Sequence, residues 1–193
     1  MARKKEFDTR KALDRAVDLF WRKGYEATSV QDLLDHLKIS RQSLYDTFGD
    51  KHRLFLAALD RYSEVQIGEI LGELETPEAG LMQIRKCFEV VLEALVSEAK
   101  PRACLMINST MELARRYRSV AQRARAYARR FEAAFLRAIA NAVERGELRP
   151  GRDPLSLARH LTSCLVGMNC LAKAGSPRKE LRDVAEVGLS VLV

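Results

Sequence analysis

The chain has 193 residues, 33 Lys and Arg against 26 Asp and Glu for a formal net charge of +7, 47% hydrophobic residues and only 5 prolines. That length supplies enough material for a buried core in one or two domains, the few prolines fit a compact, mostly helical protein, and the basic balance is compatible with a nucleic-acid partner without proving one. No apolar run reaches the ~18 residues that a membrane-spanning helix needs, and the opening MARKKEFDTR lacks the apolar segment of a secretory signal.

Residues 1–7 hold Arg3, Lys4 and Lys5, an arm that either is solvated or touches phosphate or a minor groove. A first helix is predicted from Asp8 to Lys23, with Leu13, Ala16, Val17 and Phe20 as its apolar stripe. Arg22 and Lys23 suit its C-terminal dipole, and Gly24 suits its stop. The stretch 28–51, TSVQDLLDHLKISRQSLYDTFGDK, then reads as two short helices. Thr28 and Gln31 have the spacing of a capping box, and Val30, Leu33, Leu34 and Leu37 recur at helical spacing. Lys38-Ile39-Ser40 is too short for anything but a turn, and Ser40 is a good N-cap for the next helix. Leu44 and Phe48 pack inward, which leaves Arg41, Gln42, Ser43 and Tyr45 facing out.

Two helices joined by so short a turn form a helix-turn-helix, whose second helix enters a DNA major groove. Arg41 can fork onto guanine and Gln42 onto adenine. Thr28, Ser29, Ser40, Ser43, Tyr45 and Lys51 suit phosphate. Asp50 can cap the following helix, yet Lys51, His52 and Arg53 then place cations at a helix N-terminus, against the macrodipole. A nearby polyanion explains that choice; a surface hairpin with solvated charges is the plainer alternative.

Phe20, Gly24, Tyr25, Thr28-Ser29-Val30, Leu34, Ile39-Ser40, Leu44-Tyr45, Phe48, Lys51 and Leu54 resemble, in type and spacing, the N-terminal signature of the TetR family of transcriptional regulators. The resemblance covers roughly residues 8–60; His52 replaces an acidic residue usual in that signature, and Leu34-Asp35 stands where an alanine is common after the second helix's aliphatic residue. It implies an all-α fold of about nine helices. A helix-turn-helix DNA-binding domain (1–60) would precede a larger ligand-binding and dimerisation domain (61–193).

A fourth helix is predicted from Lys51 to about Gly72, with Leu54, Ala58, Tyr62 and Val65 along one side, long enough to act as a rod between head and body. After Thr76-Pro77-Glu78 a fifth helix is predicted from Pro77 to Ala99, ended by Pro101. A sixth spans about 102–114, where Asn108, Ser109, Thr110 and Glu112 interrupt an apolar run. Polar groups in an apolar wall either orient a small molecule or form one polar face of an ordinary helix. The seventh is predicted from Tyr117 to Arg145. Seven arginines and no acid lie between Arg115 and Arg130. Of the arginines here, Arg118, Arg125 and Arg129 suit a solvated face, whereas Arg123, Arg130 and Arg137 on the rim could meet an anionic ligand or a partner chain.

An eighth helix from Pro154 to Ala174 and a ninth after Pro177 close the chain. Leu157, Leu161, Cys164, Leu165, Met168 and Leu171 surround much of the eighth, and Leu181, Val184, Val187, Leu189, Val191 and Leu192 line the ninth. So wide an apolar surface needs a cover beyond one neighbour. A two-fold mate would make a four-helix interface, as the resemblance also implies, with Leu165 and Val187 as candidate contacts.

Cys87, Cys104, Cys164 and Cys170 form no C-x-x-C pair, and the 3 histidines are scattered, so no metal or other cofactor is expected. Reduced thiols in a cytoplasmic protein are the expectation. No nucleophile motif, paired ligands or phosphate loop points to an enzyme. The leading expectation is a homodimeric repressor that binds a pseudo-palindromic operator in double-stranded DNA and is released by a small, largely apolar effector. Phe88, Met106, Asn108, Met111, Tyr127, Phe131 and Met168 are its candidate contacts. A cysteine-based redox or electrophile sensor using Cys104, after Arg102, is the alternative; a non-specific DNA binder fits the charge but not the apolar body.

Overall fold

The computed structural model describes residues 7–97, 102–149 and 151–192. Among these residues it has nine α-helices, a short 3-10 helix at Ser190–Leu192 and no strand. The basic arm of residues 1–6 and the helix end expected at Pro101 lie outside them.

Three helices make the head. The first, α1 (Thr9–Lys23), begins where the Asp8 carboxylate accepts from the Arg10 and Lys11 amides and ends with Gly24 at φ 80°. The second, α2 (Val30–Leu37), is capped one residue later than predicted. The Ser29 hydroxyl accepts from the Asp32 amide, and the Asp32 carboxylate accepts from the Ser29 amide at 2.8 Å. Thr28 is displaced from that role because it is buried and its hydroxyl donates to the Gly24 carbonyl at 2.6 Å, locking the bend after α1. A left-handed Lys38 (φ 57°) then turns the chain into α3 (Arg41–Phe48), capped by Ser40. Leu33, Leu37 and Leu44 are buried where the two helices meet α1.

The fourth helix, α4 (Lys51–Leu71), is capped by Asp50 and joins both halves. Its first half packs on α1 through Leu54, Phe55, Ala58 and Leu59, while Ile67 and Leu71 belong to the second core. The body comprises α5 (Leu81–Val96), α6 (Leu105–Leu113), α7 (Arg118–Glu144), α8 (Pro154–Ala174) and α9 (Arg178–Leu189). The fifth helix starts four residues after the predicted Pro77. Thr76-Pro77-Glu78 stays in a turn, with the Thr76 hydroxyl on the Glu73 carbonyl, and the Gly80 amide finds its acceptor in the Gln83 side chain at 2.9 Å. In α7 the apolar side is buried at Val120, Phe131, Phe135, Ala138 and Ala142. Helices α8 and α9 approach so closely that a Cβ on Gly188 would lie 2.8 Å from the Cys164 sulfur, so any larger residue there would force the Cys164 side chain to move.

The rim arginines of α7 face their own chain. Arg123 forks onto the Asp60 carboxylate at 2.7 and 2.8 Å, and Arg130 onto Glu75 at 2.6 and 2.8 Å. Arg137 donates to the Glu75 carbonyl at 3.1 Å. These arginines fasten α7 to α4 and the loop after it, which replaces the expectation of an anionic ligand or partner chain there. Arg118, Arg125 and Arg129 are exposed, as a solvated face requires.

Leu165 is corrected as well. It is buried in the chain's own interior, whereas Val187 is 71% exposed, with Leu171 and Val166 also open. The residual apolar surface of the last two helices therefore lies on Val166, Leu171 and Val187. No helix among the described residues is long and apolar enough to cross a membrane.

Candidate nucleic-acid interface and internal cavity

Arg41 and Gln42 stand exposed in the first turn of α3, and among the described residues no hydrogen bond or ion pair holds their side chains to the head. Tyr45, one turn on, is 42% exposed. Leu44, on the opposite side of the helix, is fully buried. Replacing Leu44 by Ala would cost ~2–5 kcal/mol, so the outward face of α3 is fixed by the packing face behind it.

The hydroxyls near this helix are partly committed. Ser40 Oγ accepts from the Ser43 amide at 3.1 Å and shares a hydrogen bond with Ser43 Oγ at 2.9 Å, while Ser29 Oγ donates to Asp32. These serines hold the helix starts in place, and first-turn amides that a cap leaves unpaired suit phosphate. Thr28 cannot serve as a phosphate contact in this conformation because it is buried and bonded to Gly24. Lys51 is half-buried, its ammonium 4.3 Å from the Tyr25 ring centre, and burial lowers its pKa. The Tyr25 phenol is itself pushed up to about 12, first by burial and then by neighbouring Tyr117.

A dense set of contacts ties this head to the body. Trp21 Nε1 donates to the Ala103 carbonyl at 2.6 Å, Arg102 Nη1 reaches Asp18 at 3.0 Å, and Arg116 pairs with Glu26 at 2.8 Å. The Glu112 carboxylate accepts from the Tyr25 and Glu26 amides at 3.2 and 2.9 Å, across the bend between α1 and α2. His52 packs against Tyr117 with ring centres 4.3 Å apart and meets Ser119 Oγ at 3.3 Å. Position 52 therefore serves the joint between α4 and α7 in this chain.

Behind these contacts lies a cavity of about 310 Å³, lined by residues of α1, α4, α5, α6, α7 and α8. Its size is at the lower end of small-molecule sites, which run from roughly 300 to 1,000 Å³. Of the predicted contacts, Met106, Met111, Tyr127 and Phe131 line it. Phe88 and Met168 do not: both are buried among core side chains. Asn108 lies outside it too, donating to the Arg102 carbonyl at 2.9 Å and bordering a second cleft.

The sequence reading missed Trp21, Tyr62 and Asn169. Asn169 accepts from the Cys104 amide at 2.8 Å and donates to the Leu165 carbonyl at 2.9 Å, so its polar atoms are spent within the wall. The Tyr62 hydroxyl accepts from the Leu105 amide at 3.3 Å, and the Cys104 thiol meets the Tyr127 hydroxyl at 3.6 Å. Burial, with Cys104 as its next neighbour, raises the pKa of both phenols, so both remain protonated donors. Burial alone pushes the Cys87 thiol up to about 12, making it inert. Trp21 sits one turn beyond the predicted stripe residue Val17, the signal that could have found it.

To enter a major groove a helix must stand clear of its own head with groups free to meet base edges, and α3 does both. This is the arrangement of a helix-turn-helix DNA-binding protein, here attached to a hollow helical body. Residues 12–58 match the model described as bacterial regulatory proteins, tetR family, and residues 80–186 match the tetracyclin repressor-like C-terminal domain. The chain is 38% identical over its whole length to YezE of Bacillus subtilis (strain 168), an uncharacterized HTH-type transcriptional regulator that is also covered in full. It is 30% identical to the HTH-type transcriptional repressor ComR of Escherichia coli (strain K12), over 95% of this chain and 88% of that one. A cysteine mutant of the TetR family regulator CifR, solved with 26-base-pair operator DNA, superposes with a TM-score of 0.86 at 27% identity, covering 99% of this chain and 100% of that one. The chain belongs to the TetR family of bacterial transcriptional regulators, and it is a DNA-binding regulator rather than an enzyme.

Proposed function

We propose that this regulator is a repressor that binds a pseudo-palindromic operator as a homodimer and is released by a small, largely apolar effector held in the internal cavity. The observation that carries the reading is the position of that cavity. Trp21 of α1, Tyr62 of α4 and Met106 of α6 share its wall, so an occupant touches three of the elements that orient the head. An effector preferring a conformation with wrongly placed heads would lower operator affinity by its differential affinity for the two states, and by no more. Arg41 and Gln42 read bases, and Ser29, Ser40, Ser43, Tyr45 and Lys51 position the backbone. The relatives' names, a repressor and an operator complex, support this reading.

Dimerisation would use the exposed apolar strip of α8 and α9, with Val187 at its centre. The test is selection of a binding site from random duplexes, followed by footprinting. Two protected half-sites whose centres lie about 34 Å apart, or a near multiple, support paired heads; a single half-site would contradict them.

The Cys104 thiol on the cavity wall, beside the Tyr127 hydroxyl, favours a second reading. There the signal is an electrophile that forms a carbon–sulfur bond at Cys104. Iodoacetamide would replace iodide by sulfur, with the thiol proton lost to solvent. Operator release by iodoacetamide that vanishes in Cys104→Ser supports that mode, and unchanged release in the variant excludes it.

A further inference from the structure

The internal cavity does not end at its apolar wall. A second cleft of about 580 Å³ lies between the C-terminal end of α1, α6 and α8, and the two share Trp21, Ile107, Met111 and Cys170. The two differ in character. The inner chamber is dominated by Phe131, Leu95, Ile70 and their neighbours, whereas the outer cleft is bordered by Arg22, Lys23 and Lys173.

The charges of that cleft are not equally committed. Arg22 pairs with Asp18, and Lys23 with Asp32 at 2.8 Å. Glu112 is the one carboxylate bordering the cleft, and both its oxygens accept backbone amides of the head. Lys173, in the last turn of α8, is exposed and has no ion pair among the described residues. An apolar chamber thus opens into a cationic cleft past an exposed Met111 (79%), a side chain whose flexibility suits a passage.

From this continuity we infer that the effector is an amphipathic organic acid. Its apolar chain fills the inner chamber, and its carboxylate emerges between α1 and α8 beside Lys173. The inference rests on the effector reading above and adds charge and direction to it. A neutral compound fills the chamber equally well but gains nothing from the cleft, and an organic cation meets the unpaired ammonium of Lys173 there. The acid would also lie along Trp21 and beside Glu112, two of the side chains that join head and body.

The experiment uses the full chain and sodium decanoate, 1-decanol and decyltrimethylammonium, each below its aggregation threshold. Trp21 is the chain's only tryptophan and borders both spaces, so its emission reports occupancy, with calorimetry as an independent readout. Decanoate is expected to bind about two- to fivefold tighter than decanol, and decyltrimethylammonium weakest. Across octanoate, nonanoate and decanoate, affinity should rise about fourfold per methylene while the chain remains buried. Lys173→Glu should abolish the preference for the acid while leaving decanol affinity within about twofold, because Lys173 is exposed and decanol carries no charge for it to meet. Decanol binding as tightly as decanoate, no calorimetric binding of decanoate, or an acid preference that survives Lys173→Glu would overturn the inference. If decanoate binds as stated but a selected operator stays bound, the acid site stands and the effector reading fails. If decanol alone releases the operator, the effector reading stands and the charge assignment fails.

Discussion

Trp21→Phe tests the joint between head and body. The indole N–H donates to the Ala103 carbonyl at 2.6 Å, its ring meets Tyr62 edge-on with centres 5.1 Å apart, and the Arg102 guanidinium lies 5.7 Å from it. Phenylalanine keeps an aromatic ring but removes the donor and part of the volume. Loss of the hydrogen bond costs about 0.5–1.5 kcal/mol, rising toward ~3 if the carbonyl is left dry. Ala103 cannot readily turn to another partner, since its left-handed backbone (φ 51°) is held by the neighbouring bond from the Cys104 amide to Asn169. With a smaller packing loss, the total is about 2–3 kcal/mol, or a fall in Tm of roughly 4–12 °C for a chain of this size. Thermal melting by circular dichroism measures it. Operator affinity should fall about three- to tenfold as well, because the head loses one of the bonds that fix its orientation. An unchanged Tm together with unchanged operator affinity would show that this bond does not hold head to body, and would remove Trp21 from the coupling.

Val187→Glu should convert a dimer to a folded monomer in sedimentation, since a buried unpaired charge costs several kcal/mol; a helical variant that stays dimeric places the interface elsewhere. Lys51→Ala should weaken operator and random DNA alike and reduce the salt slope by about one unit, whereas an unchanged slope would show that its ammonium stays over Tyr25. Arg130→Ala should make the protein less sensitive to acid. Arg130 holds the Glu75 carboxyl below its ordinary range, so that carboxylate contributes stability above its unfolded pKa near 4.3 and loses it as pH falls. Both side chains are partly exposed, which limits the contribution to under ~1 kcal/mol. A stability difference between wild type and Arg130→Ala that is the same at about pH 7 and about pH 3 would contradict the link.

The head was legible because its signals are local. Caps, a three-residue turn and inward leucines at helical spacing fix α2 and α3 within a short stretch. The errors there are single-residue matters: T-x-x-Q and S-x-x-D overlap by one position, and the bury-or-expose choice between Thr28 and Ser29 depends on α1, which local spacing does not contain. The body was legible as helices but less so as a site. Phe88, Met168 and Leu165 look alike in sequence, yet the first two face the core and the third the cavity wall. Which apolar residue borders a void is decided by helix crossings far apart in the chain. The rim arginines failed for the same reason, since Asp60 and Glu75 lie more than fifty residues away from them in sequence.

The central claim is that α3 reads sequence, and Gln42→Ala tests it most directly. The side chain is exposed and carries no charge, so its loss leaves non-specific electrostatics untouched. Titrated against a selected operator and a random duplex at one fixed salt concentration, Gln42→Ala should lose ~1–3 kcal/mol on the operator alone. Equal affinity of wild type and variant for the operator, or equal losses on both duplexes, would contradict base reading by this helix.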